Sequence, residues 1–249
     1  MTTTMQIDVN DNGIAYLKMQ DDAGKNVFND DFIHSFIGSM DQLETIYKPK
    51  VLILSGLTDV FCGGAEKQSL IDLCDGKIHV KDLLLSERLL NVPFPVIAAM
   101  EGHAVGGGLM LAVCSDIVLA AQESRYGVVF MNLGFTPGMG CTQLLAELVG
   151  PFAANEMMYT GKCYKGRNLA QMHTQINYIL PKAQVLPMAE TIARQISEKN
   201  LKSINLLKRT LSLKKKKLLA EARVAEDLMH RLSFAFPETR KTIEDLYGK

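Results

Sequence analysis

The chain opens on alternating apolar and polar positions, Gln6-Ile7-Asp8-Val9 and then Ile14-Ala15-Tyr16-Leu17-Lys18-Met19, with Asp11-Asn12-Gly13 between them. A period of two broken by an Asn-Gly turn predicts a β-hairpin. Over residues 30–47 the apolar residues Phe32, Phe36, Met40 and Leu43 recur at helical spacing. Apolar runs at 51–54 and 96–100, and the segment 116–121 in which five apolar residues follow Asp116, predict buried strands. Residues 66–90 read as two helices separated near Gly76, and another helix starts at Gly107. Strands alternating with helices predict an α/β fold. After Pro181 the strand pattern stops. Helical periodicity then runs through 190–199, 203–213, 216–232 and 238–247. No stretch rich in Gly, Pro or Ser sets this part off. The expected organisation is a core over residues 1–190 and a packed helical region over 191–249.

Three segments within this pattern carry candidate chemistry. The strand at 96–100 leads through Glu101-Gly102-His103-Ala104-Val105 into Gly106-Gly107-Gly108 and an apolar helix. A helix start presents unpaired N–H groups and the positive end of its dipole, and glycine lets another group approach closely. Such a turn suits a developing negative charge. The spacing is neither G-x-G-x-x-G nor a Walker loop. A merely structural turn explains a glycine triplet equally well. A second strand–glycine–helix unit shifts the balance: the strand at 51–54 leads to Phe61-Cys62-Gly63-Gly64-Ala65-Glu66. Two such turns can aim two backbone N–H groups at one oxygen. The third segment is Leu133-Gly134-Phe135-Thr136-Pro137-Gly138-Met139-Gly140, ahead of another helix.

In this order the three segments resemble the crotonase superfamily, the enoyl-CoA hydratase-like proteins. The resemblance implies a β/α spiral core whose C-terminal helices pack on that core or on a neighbouring subunit, and assembly as a homotrimer or hexamer. It implies that Ala65 and Gly107 supply the two oxyanion-hole N–H groups, with Gly64 and Gly106 beside them. Hydratases of the family use two glutamates to activate water. At the matching positions stand Met110 and Phe130, which accept no proton. Glu123 and Glu147 are displaced from the motif. Hydration is therefore not expected, and the chemistry must need enolate stabilisation without a carboxylate base. Decarboxylation meets that need, because the departing carboxylate generates the carbanion itself.

A finer resemblance points the same way. Residues 95–103, Phe130-Met131, Gly134–Gly138, Met229-His230 and Leu246-Tyr247-Gly248 look like the second hydratase-like enzyme of the β-branching cassette in bacterial polyketide synthesis. That subgroup implies a lyase that decarboxylates a 3-methylglutaconyl-type thioester on an acyl carrier protein to a 3-methylcrotonyl-type thioester, with a C-terminal histidine and a lysine near the first glycine turn in the site; the residues themselves leave an acyl carrier protein and coenzyme A both open as the carrier. His230 matches the histidine; Lys67 and Lys77 are both candidates for the lysine. Double-bond isomerisation, thioester hydrolysis and non-catalytic thioester binding remain the alternatives.

Composition narrows the rest. The 249 residues carry 27 basic and 27 acidic side chains, so no global field favours nucleic acid. No apolar run is long enough to cross a bilayer, and residues 1–6 have no signal-peptide character. A cytoplasmic protein is expected. Cys62, Cys74, Cys114, Cys141 and Cys163 form no C-x-x-C pair, so neither a disulfide framework nor a zinc site is suggested; no metal and no cofactor is expected. His103 falls just before the triplet; a histidine satisfying turn backbone is the favoured reading, with the pocket as the alternative. His34, His79 and His173 have no context. Lys214–Lys217 reads as a solvated helix start or as a docking patch for an acidic carrier or cofactor phosphates. Met100, Met110, Met131 and Met139 suit either a flexible acyl pocket or ordinary core.

Overall fold

A computed structural model describes residues 4–78 and 85–247; His79 and Gly248 lie outside them. The chain begins with the hairpin of β1 (Met5–Val9) and β2 (Ile14–Met19), which pairs Met5 with Met19. β3 (Val27–Phe28) and α1 (Asp30–Gln42) follow, α1 capped by the Asn29 side chain on the Phe32 N–H. One π-helical turn, Leu43–Tyr47, carries the same apolar stripe on to β4 (Val51–Ser55). β5 (Val60–Cys62), β6 (Gly64–Ala65), α2 (Lys67–Cys74) and α3 (Leu85–Asn91) come next. Then come β7 (Val96–Met100), β8 (His103–Val105), α4 (Gly107–Cys114), β9 (Ile117–Ala121) and β10 (Arg125–Gly127). A 3-10 turn at Phe130–Leu133 precedes α5 (Cys141–Val149), α6 (Pro151–Thr160), β11 (Cys163–Lys165), α7 (Gly166–Gln171) and β12 (Tyr178–Leu180).

The main sheet has the order β1-β2-β4-β7-β9-β12 and is parallel from β2 onward. A parallel sheet is covered on both faces, which is why its strands read as unbroken apolar runs. In β4, Leu52 and Leu54 join the larger core, while Val51 and Ile53 face Val185, Ala189 and Ala193 of α8 (Lys182–Ser197). A second sheet, β11-β10-β8-β5, and the small pair β3-β6 lie beside the turns described below.

The α/β expectation holds, with two corrections in the C-terminal part. The boundary expected after residue 190 falls inside α8, whose apolar face completes the sheet; the appended helices start only at Asn200, which caps α9 (Leu201–Phe234). The two helices expected over 203–213 and 216–232 are one, because no glycine or proline interrupts residues 201–234. Lys214–Lys217 is thus mid-helix and not a helix start. Lys215 turns inward and donates to the carbonyls of Val113 and Ser115 at 2.8 and 2.6 Å, closing the end of α4. Lys214 pairs with Glu147, and the buried Lys208 pairs with Asp116 at 2.7 Å. α10 (Pro237–Leu246) then turns back over α2. Among the described residues no helix is long and apolar enough to cross a membrane.

Candidate active site

Because β5 and β8 are parallel neighbours, the turns that follow them lie side by side. A Cβ built on Gly64 would fall 3.4 Å from the Gly107 nitrogen. Gly64 and Gly106 hold φ of +85° and +56°, conformations that side-chain-bearing residues rarely adopt. At Gly107 the constraint is space: a Cβ would lie 2.6 Å from both Met139 Sδ and Phe28 Cε2. Gly107 opens α4, so its N–H has no carbonyl one turn earlier and lies at the positive end of the helix.

Ala65 and Gly107 line one cavity of about 40 Å³, walled by Phe28, Leu70, Leu73, Phe130, Phe135, Gly138, Met139, Phe234 and His230. Every lining side chain is apolar except the imidazole. Phe135 stacks on Phe234 with ring centroids 4.6 Å apart, and both flank His230, at 6.4 and 5.5 Å.

His230 is 6% exposed and is held to the 134–140 turn by its Nε2, 2.8 Å from the Thr136 carbonyl oxygen. A carbonyl only accepts, so Nε2 carries the hydrogen. In the neutral ring Nδ1 is then a bare lone pair, and it is buried without a partner. Burial pushes the imidazole pKa below the ordinary histidine value, against smaller opposing effects of the Thr136 carbonyl and the Asp227 charge. One helical turn earlier on α9, the buried Glu226 accepts from the Gly140 N–H at 2.7 Å, the Thr142 N–H at 2.8 Å and the Thr142 hydroxyl at 2.7 Å. Glu226 thereby caps α5 and fixes the turn against which His230 rests. Burial raises its pKa.

The structure thus brings Ala65, Gly107, Phe130 and His230 together and leaves other expected site residues outside. Met110 is fully buried in α4 and is core, because three residues beyond Gly107 the helix has turned its side chain away from the cavity. His103 accepts the Arg125 N–H on Nδ1 at 2.9 Å; it satisfies turn backbone and is not a pocket residue. Gly64 and Gly106 shape the backbone without lining the cavity. Lys67 reaches the Glu244 carbonyl at 2.8 Å. Lys77 is tied to Asp72 and Asp75 at 3.1 and 3.0 Å beyond the end of α2. Neither lysine lines the cavity. Of the methionines only Met139 does. Phe28, Leu70, Leu73 and Phe234 are wall residues with no signal in the sequence beyond ordinary core patterning; only the spacing of Phe234 from His230, one helical turn, could have suggested it. Among the described residues no group of three or more His, Cys, Asp or Glu could hold a metal ion.

Residues 9–246 match the family model of the enoyl-CoA hydratase/isomerases. The chain belongs to that family. Within it, the chain is 32% identical over 238 residues to the bacillaene synthase decarboxylase PksI of Bacillus subtilis, covering 96% of this chain and 95% of that protein. It superposes with a TM-score of 0.95, at 31% identity, on a structure described as part of a dehydratase/decarboxylase enzyme couple involved in polyketide β-branching; 99% of this chain and 100% of that chain are covered. The ECH2 decarboxylase domain of CurF from Lyngbya majuscula gives a TM-score of 0.91 at 32% identity, covering 98% and 99%. This enoyl-CoA hydratase/isomerase relative therefore resembles, over nearly its full length, members named as decarboxylases.

Proposed function

We propose that this chain is a carboxy-lyase that converts a 3-methylglutaconyl-type thioester to a 3-methylcrotonyl-type thioester. The observation that carries this reading is the cavity itself. Residues of two backbone turns and an imidazole with an unpartnered nitrogen line it together, and no lining residue bears a carboxylate. Phe130 occupies the wall where the hydratase pattern asks for a glutamate. A site so built can hold an enolate oxygen and move one proton, but it has no carboxylate to activate water.

The thioester oxygen accepts from the Ala65 and Gly107 N–H groups. The substrate carboxylate enters an apolar space and meets Nδ1 of His230. Its negative charge favours protonation there, and the Thr136 carbonyl, already bound to Nε2–H, supports the imidazolium. Breaking the carbon–carbon bond releases carbon dioxide. The electron pair passes into a dienolate whose charge ends on the thioester oxygen. Nδ1–H then protonates the terminal carbon. Each cycle consumes one proton from solvent and returns His230 to its neutral form.

The family likeness supports an acyl carrier protein or coenzyme A as the thioester's carrier, a homotrimer or hexamer as the assembly and the cytoplasm as the place of action. Presenting 3-methylglutaconyl groups on each carrier and following the acyl chain by mass spectrometry tests the reading. Loss of the mass of carbon dioxide is expected, with the carrier-bound substrate preferred. Addition of water to a crotonyl thioester at ordinary enzymatic rates, about 10 per second, would overturn it.

A further inference from the structure

Tyr247 was conspicuous in the sequence, yet the chemistry above leaves it unused. Its ring lies outside the small cavity, in the wall of a larger cleft of about 780 Å³ on the other side of the two glycine turns, together with Gly63, Glu66, Lys67 and Val105. Its hydroxyl donates to the Ala65 carbonyl at 2.8 Å. That carbonyl belongs to Ala65, which lines the cavity and whose N–H is proposed above to serve the oxyanion hole. It also precedes Glu66, the N-cap of α2, and so takes no part in that helix's hydrogen bonding. A buried or half-buried carbonyl in a turn is held in place by whatever donor reaches it. Here the donor comes from 182 residues away in the chain.

We infer that Tyr247 is a positioning residue for the oxyanion hole: by holding the Ala65 carbonyl from outside, it fixes the rotation of the Gly64–Ala65–Glu66 segment and so the direction of the Ala65 N–H. This inference rests on the oxyanion role proposed for that N–H. Two features make the hydroxyl the adjustable element. On its inner side the segment is already constrained, because β6 pairs with β3, Phe28 standing opposite Ala65, and Gly64 packs against the Val105 carbonyl. On its outer side the contact is Tyr247. The tyrosine is placed by α10, whose Ile243 is fully buried and which an ion pair from Arg240 to Asp75 joins to the end of α2. Burial raises the Tyr247 pKa, with the Glu66 charge adding to it, so the hydroxyl stays protonated and remains a donor. The oxygen that this N–H serves gains charge during the reaction, so the effect falls on turnover more than on ground-state binding.

The test uses an unreactive ligand, crotonyl-pantetheine labelled with carbon-13 at the thioester carbonyl, bound to the full chain. In the wild-type protein the carbonyl resonance moves downfield and its stretching frequency falls, because two N–H donors polarise it. Tyr247→Phe keeps the ring and removes the hydroxyl. It should bind the ligand nearly as well, shrink both spectroscopic shifts, and lower kcat on the decarboxylation substrate by roughly 10-fold with little change in KM, the scale of one hydrogen bond. Arg240→Gln is the control: it loosens α10 and lowers the melting temperature while leaving the hydroxyl, and the shifts should stay near wild type. Full polarisation in a folded Tyr247→Phe protein would overturn the inference while leaving the oxyanion hole standing. No polarisation in the wild type would overturn the oxyanion reading, and this inference with it.

Discussion

His230 is tied at one ring nitrogen and bare at the other, and that asymmetry sets its chemistry. The tie to Thr136 fixes the tautomer, so the unpartnered Nδ1 must receive a proton before it can give one. His230→Ala should lower turnover at least about 100-fold, the lower end for a lost acid–base group, with substrate binding largely intact in an equilibrium titration. Gly138→Ala probes the same point without touching the imidazole. A methyl there would lie 2.1 Å from the His230 Cε1, so the ring must shift or the turn must open. Turnover should again fall by an order of magnitude or more, about 1.4 kcal/mol for each factor of ten, and a fully active, folded Gly138→Ala protein would show that ring placement does not matter. At this scale the motifs led to residues that share one cavity: Ala65, Gly107 and Phe130 all line it. The sequence misled where the role depends on which way a side chain points. Met110 sits three residues past a residue of the cavity and still faces the core. Phe28 reaches the site only because β3 pairs with β6, a contact between residues far apart in sequence.

α9 carries the His230 of the cavity wall and the Glu226 that fixes the turn beside it. Glu226 and His230 lie one turn apart on the same face, and both grip the 134–142 segment. Folding buries the imidazole and lowers its pKa below that of the unfolded chain. Below the unfolded value, about 6.5, the unfolded chain takes up a proton that the folded protein does not. The contribution of neutral His230 to stability is therefore present above that pH and is lost as pH falls toward the folded value. Glu226 works in the opposite sense: its raised pKa means that protonation at low pH relieves the burial of its charge. Comparing wild type with His230→Gln cancels the Glu226 effect. Urea unfolding at about pH 7.5 and about pH 5.5 should show wild type losing more stability on acidification than the variant. Equal losses would mean that the imidazole is not buried neutral. The sequence could not reveal this element whole. Lys214–Lys217 broke the apolar rhythm and suggested two helices. In fact one lysine turns inward to close α4 and the others lie on the flanks, and lysine is a good helix former in either setting.

Across the whole molecule, a covered parallel sheet brings two strand ends together, and the C-terminal helices supply the lid that the sheet lacks. α9 closes the cavity over the 134–140 turn, and α10 braces the first glycine turn from behind. The outward face of α9 keeps Leu207, Leu211, Val224, Leu228 and Leu232 exposed, an apolar surface that the proposed trimer would cover. The α/β class, the opening hairpin, the buried strands β4, β7 and β9 and the glycine turns were legible because each follows from local pattern: alternation, apolar runs, and glycines ahead of helices. The division after residue 190 was not, since α8 looks like any amphipathic helix and only the sheet it covers shows that it belongs to the core. The claim that unites these scales is that the cavity breaks a carbon–carbon bond and does not add water. Its most direct test is carbon dioxide released from a carboxyl-labelled 3-methylglutaconyl thioester by the intact protein, with His230→Ala alongside. Stoichiometric release by the wild type, formation of the 3-methylcrotonyl thioester, and a loss of rate of about 100-fold or more in the variant are the expected result. Retention of the label with the acyl chain hydrated, isomerised or hydrolysed from its carrier would contradict it.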